Sequence, residues 1–129
     1  MKIALLFLLN FFFFAVHAQS DWQAKPNIDG TYRLVVAFAS RASGPDAEGL
    51  KRIQELIKVY ENKFNKKISY NIGRYGREGE TDYSFDLNNL SKKQVKKFVA
   101  VLNKEMRKYN VVSVGENMIP MSEKFKRKG

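Results

Sequence analysis

Glu78, Glu80, Asp82 and Asp86 put four carboxylates into one short stretch, a set of hard oxygen donors that calcium or magnesium would accept. Glu80, Asp82 and Asp86 sit in an alternating segment, however, and so share one face of a strand, with neighbours two apart separated by roughly 7 Å. That spacing makes a row and not a cage. The expected role is a ladder of charges, with Arg33 of an adjacent strand available to pair with one of them. No metal site is expected.

The string Gly73-Arg74-Tyr75-Gly76-Arg77-Glu78-Gly79-Glu80 carries the other candidate chemistry. Its glycines permit unusual backbone angles, and Arg74, Arg77 and Tyr75 offer forked donors and an aromatic ring to a carboxylate or phosphate. It is not a phosphate-binding loop of the nucleotide type, because no Gly-Lys-Ser/Thr follows and no strand-to-helix step is in place. Arg74, Tyr75, Arg77 and Glu78 are the expected binding residues of this tip. The structural alternative is a charged hairpin end that discourages edge-to-edge aggregation.

Catalysis has little to work with. The chain has no cysteine and one histidine, His17. Met1-Lys2, the apolar run Ile3 to Val16 and the small-x-small site Val16-His17-Ala18 read as a signal peptide over residues 1–18, too short to span a bilayer at about 20 residues. Cleavage there would discard His17. The mature chain would then have neither the imidazole nor the thiol behind most general-base, nucleophilic and transition-metal chemistry near neutral pH. Serine-lysine pairs exist without a motif. Carboxylate pairs leave a small hydrolase as the minor alternative. A non-enzymatic protein without cofactors is expected, exported to the periplasm or secreted.

Charge suggests partners. The precursor carries a net charge of +10; once Lys2 leaves, 22 cations stand against 13 acids. Such a balance attracts nucleic acid, anionic glycan, anionic lipid or an acidic protein.

The elements that must position these groups are legible between a polar lead-in (residues 19–30, with Trp22) and a basic tail (residues 120–129) expected to be solvated and disordered. Within a single α+β domain over 31–119, Tyr32 to Ser40 reads as a strand apolar on both faces. Ala42-Ser43-Gly44 breaks it. Pro45, Asp46 and Glu48 open a helix whose stripe is Leu50, Ile53, Leu56, Ile57, Tyr60 and Phe64. Ile68 to Ile72 and Thr81 to Leu87 form a hairpin about the glycine-rich tip. Ser91 and Gln94 make a capping box, with Leu90 and Val95 as its hydrophobic staple. A second helix follows, with Val95, Phe98, Val99, Leu102, Met106 and Tyr109 on its apolar stripe, and Val111 to Val114 gives the last strand.

The order βαββαβ with right-handed crossovers predicts a ferredoxin-like sandwich, an antiparallel sheet in order 4-1-3-2 with two helices on one face. Unrelated families share that architecture, including inhibitory propeptides of serine proteases and dimeric α/β-barrel proteins, so it carries no function by itself. Leu34, Val36, Phe38, Ile68, Tyr70, Ile72, Tyr83, Phe85, Val112 and Val114 should face the helices. The opposite face should then present Arg33, Val35, Ala37, Ala39, Asp82 and Ser84, with Ser69, Asn71, Asp86, Val111 and Ser113. So small a surface suits close approach by a protein partner or a second copy, or coverage by the chain's own ends. It lacks the exposed aromatics that stack bases, so specific nucleic-acid recognition is not expected. The alternative function is polyanion or envelope-surface binding by the second helix, through Lys92, Lys93, Lys96, Lys104 and Arg107, with the tail's Lys124, Lys126, Arg127 and Lys128 joining the same plate.

Overall fold

The computed structural model describes residues 23–40 and 44–128. The leader of residues 1–18, Trp22 and the Ala42-Ser43 break lie outside the described residues. Seven elements follow one another: strand β1 (Tyr32–Phe38), helix α1 (Ala47–Phe64), strands β2 (Tyr70–Tyr75) and β3 (Glu80–Phe85), helix α2 (Lys92–Met106), strand β4 (Val112–Met118) and helix α3 (Met121–Arg127). The fold is α+β. Its four strands form one antiparallel sheet in the order β2-β3-β1-β4.

β1 lies inside the sheet and is covered on both faces, Leu34, Val36 and Phe38 in the main core and Val35 against Ala24 on the other side, which is why its sequence is apolar on both faces. Val36 stands between Tyr83 of β3 and Val114 of β4, and Leu34 between Phe85 and Glu116. Each long helix starts where a side chain satisfies its first amides. Asp46 accepts from the Gly49 amide at 3.0 Å and caps α1. In α2, Ser91 Oγ accepts from the Gln94 amide, and Gln94 Oε1 accepts from the Ser91 amide. Asn65 closes α1 in the left-handed conformation, φ 51°.

One core receives both helices. Ile53, Leu56, Ile57 and Tyr60 of α1 meet Phe98, Val99, Leu102 and Met106 of α2 over Leu34, Val36, Phe38, Tyr83 and Phe85. Phe98 sits edge-on to Phe85 (5.6 Å between ring centroids) and to Tyr60 (5.9 Å). Each such ring, fully buried, contributes about 1.5–3 kcal/mol. Tyr83 carries a hydroxyl into this layer, and Gln54 Nε2 donates to it. Burial raises the Tyr83 pKa above its ordinary value, and the Gln54 hydrogen bond lowers it in part.

Three expectations need correction. Ile72, expected to face inward, is 51% exposed, because β2 is the outermost strand. β4 runs to Met118 instead of stopping at Val114, since Glu116 and Met118 continue the pairing with Leu34 and Tyr32. Most consequentially, the described part of the expected tail, residues 120–128, is not a solvated segment. Pro120, buried and at φ −63°, leads into α3, which packs on β2 and β3. A seven-residue helix would not persist alone. It is held by docking. Among the described residues, no helix is long and apolar enough to cross a membrane.

Candidate functional site

Asp82 and Tyr83 are adjacent in β3, so their side chains leave opposite faces of the sheet. Tyr83 points into the two-helix core and Asp82 into the second face, where α3 lies. Asp82 Oδ2 accepts from the Ser122 amide and Oδ1 from the Ser122 hydroxyl, both at 2.8 Å. The cross-strand partner of Asp82 is Gly73, and a Cβ added there would fall 2.1 Å from Ser122 Oγ. The glycine is thus the gap through which α3 approaches the sheet. Asp82 is only 1% exposed. That burial raises its pKa above the ordinary value, while the two Ser122 hydrogen bonds pull the other way.

The N-terminal segment covers another part of this face. Asn71 Oδ1 accepts from the Ala24 amide, and its Nδ2 donates to the Ala24 carbonyl and the Tyr32 hydroxyl. Asp86 Oδ2 accepts from the Lys25 amide at 2.8 Å. Ala24, Tyr32 and Val35 make a small second core. The small-residue surface therefore serves the chain's own ends. Of the residues expected to meet a partner there, Val35, Asp82 and Ser84 are buried, Ala37 and Ala39 are half-buried, and Ser113 and Val111 are exposed. Arg33 is a further correction. It does not pair with the β3 carboxylates but with Glu116, and lines a groove beside α2.

The hairpin tip is likewise partly committed. Tyr75 packs on Phe125 of α3, 5.7 Å between ring centroids. Burial first, and then the carboxylates of Asp82 and Glu80, raise its pKa. Glu78 accepts from the Ser40 hydroxyl at 2.7 Å, and Glu80 from the Glu78 amide. Arg74 and Arg77 are exposed and take part in no ion pair among the described residues. The row of carboxylates thus holds backbone and hydroxyl groups of the protein. Among the described residues no group of three or more His, Cys, Asp or Glu side chains is placed to hold a metal ion.

The other face is different. Lys92, Lys93, Lys96, Lys97, Lys104 and Arg107 are all exposed, and none is ion-paired among the described residues. Lys92/Lys96 and Lys93/Lys97 are i,i+4 neighbours, two parallel rows of like charge. The sole acid within α2, Glu105, is engaged by Lys108 and Arg52, and the Lys108 hydrogen bond leads in holding its pKa below the ordinary value. Beside the inner lysine row runs a groove of about 610 Å³. It is lined by Leu90, Val95, Val99 and Ala100, by Lys92 and Lys96, and by the Arg33–Glu116 ion pair. A second depression, of about 640 Å³, is ringed by Glu61, Lys66, Lys67 and Asn89. Its groups are already used, Glu61 accepting from the Ile68 amide and Lys66 donating to Gln94.

The two basic surfaces do not merge. α3 lies on the face opposite the α2 core layer, so Lys124, Lys126, Arg127 and Lys128 cannot join the α2 lysines in one plate. Sequence reasoning missed α3 and its docking. The available signals were Met121 and Phe125 at i,i+4 beyond Pro120, and Gly73 opposite Asp82; the run of cations hid them. Comparison with protein-family models, curated proteins and solved structures gives no match to this chain.

Proposed function

We propose that the protein is an exported, non-enzymatic module that binds an anionic polymer along α2, built on a ferredoxin-like βαββαβ body to which α3 is appended. Export rests on residues 1–18, which carry the features of a secretory leader. The polymer reading rests on one observation: the charges of α2 are arranged against the helix's own stability. Lys92 and Lys93 occupy its first turn, which holds no acid, although the positive end of the helix dipole disfavours cations there. The pairs Lys92/Lys96 and Lys93/Lys97 add like-charge repulsion, about 0.2–0.5 kcal/mol each. The capping box and the buried stripe offset these costs. A helix surface needed only for solubility would interleave acids, as α1 does with Glu48, Glu55 and Glu61.

An anionic chain laid along the two lysine rows would relieve the repulsion and release its counterions. The groove at Arg33 and Leu90 would accept an apolar substituent or sugar ring beside the charge. Heparin serves as the probe. Retention on it should weaken steeply with salt, and Lys93→Gln with Lys97→Gln should reduce the salt slope by about one per lysine. Lys124→Gln and Lys128→Gln, on the other face, should weaken it much less than the α2 changes do. Retention indifferent to the α2 changes overturns the reading.

A further inference from the structure

The geometry points to a second working surface: the α3 side of the molecule is built to seat on an anionic lipid bilayer, with Phe125 and Met121 entering the headgroup region. This surface is independent of the α2 rows, which occupy the opposite side of the sheet.

α3 docks the wrong way round for a helix that only covers a sheet. Its buried residue is the polar Ser122, hydrogen-bonded to Asp82, while Met121 is 38% and Phe125 50% exposed. Met121 and Phe125 are i,i+4 neighbours and so share one flank of α3, where Phe125 packs on Tyr75 with one side and leaves the other in solvent. Arg127, on the opposite flank of the helix from Phe125, reaches Gly30 with its guanidinium and ties α3 to the N-terminal segment. Lys124 and Lys128 are exposed beside the apolar stripe, while Lys126 is paired with Glu123, the one acid in the helix.

Charge and hydrophobicity together select the occupant. A purely polar anionic chain would satisfy the lysines and leave Met121 and the open side of Phe125 in water. A second copy of this chain would bury the apolar groups, but a two-fold contact would bring the basic cluster against itself. Only a surface that is anionic outside and hydrocarbon beneath takes both, and aromatic and aliphatic groups rimmed by lysines are the chemistry of interfacial binding. Helix nucleation is not required on arrival, because Asp82 and Gly73 hold α3 formed beforehand.

Co-sedimentation with vesicles tests this, using the protein as isolated from its producing cell. Binding is expected to vesicles containing phosphatidylglycerol and not to pure phosphatidylcholine. Phe125→Ser should lower the partition coefficient roughly ten-fold or more. Each of Lys124→Gln and Lys128→Gln should lower it about five-fold. These two lysines are exposed, so they keep the test valid if Phe125→Ser loosens the fold, and Phe125→Leu should retain most of the affinity. Lys93→Gln and Lys97→Gln should not affect it. Equal binding to neutral vesicles, equal binding by Phe125→Ser and wild type, or a dimer in solution that Met121→Glu dissociates, each overturns the proposal.

Discussion

Asp82 on β3 holds Ser122 at the start of α3 by two hydrogen bonds, one to the amide and one to the hydroxyl, each 2.8 Å long and spanning forty residues of sequence. A helix's first amides are left without partners inside the helix, and here a strand carboxylate supplies the acceptor. Pro120, at the N-cap, makes no side-chain cap bond of its own. The pair thus does for α3 what Asp46 does locally for α1, and it also fixes where α3 sits.

Its consequence for pH follows from the direction of the Asp82 shift. Unfolded, the group titrates near 3.8; burial raises it in the native state, with Glu123 adding to the rise and Lys126 opposing it. Between the two values the native protein binds more protons than the unfolded chain, so this group's contribution to stability falls as pH rises. The contribution is complete below about 3.8 and is lost above the raised native value. Asp82→Asn removes the titration and leaves the remaining acids in place. Denaturant unfolding of both proteins between pH 7 and pH 3.5 should show wild type gaining on Asp82→Asn as the solution is acidified. A constant difference would remove the burial argument.

Gly73→Ala should release α3 without disturbing the core. The new methyl would lie 2.1 Å from Ser122 Oγ and 2.7 Å from Asp82 Oδ1, distances no real Cβ tolerates. Overpacking of this kind costs about 1–3 kcal/mol. Limited proteolysis should cut after Lys124 or Lys126 much faster than in wild type, while near-ultraviolet circular dichroism from the buried Tyr60 and Tyr83 persists. Unchanged protection of α3 would mean that the helix does not sit where the glycine lets it.

The body of the fold was legible because its signals are local. Period two in Leu34, Val36 and Phe38, and helical spacing in Phe98, Val99, Leu102 and Met106, report burial directly. Ser91 and Gln94 announce a helix start within four residues. The second face was not legible in the same way. Ala37, Ser84 and Gly73 are small because something lies on them, and small residues do not say what. The answer depended on pairing Asp82 with Ser122, whose separation no periodicity can bridge. Arg33 departed from the expected face for a related reason: its partner Glu116 lies in a part of β4 beyond the apolar run that marked the strand. Asn117, at φ 53°, interrupts the regular alternation there.

Val111 offers a stabilising change. It adopts φ 56°, a left-handed conformation that a β-branched residue avoids, at the entrance to β4. The turn is held in place because the Val111 carbonyl accepts from the Ala39 amide at 3.0 Å. The side chain is 39% exposed and loses little by removal. Val111→Gly should therefore raise stability by about 1 kcal/mol, the relief of the steric cost exceeding the added backbone entropy. Thermal unfolding would show a higher midpoint; a lower one would indicate that Val111 packs more than its exposure suggests.

Lys93→Glu separates stability from binding in a single variant. At the second position of α2 it replaces a cation with an anion where the helix dipole favours negative charge, and turns the Lys93/Lys97 repulsion into an attraction. The substituted side chain is exposed and makes no contact that the core needs. The fold should gain about 0.5–1 kcal/mol, measured by urea unfolding. Affinity for heparin should fall at the same time, because the change removes one cation from the row and adds an anion beside Lys92, Lys96 and Lys97. A lysine kept there for solubility alone would give the first effect without the second. One that serves as a ligand contact gives both, in opposite directions.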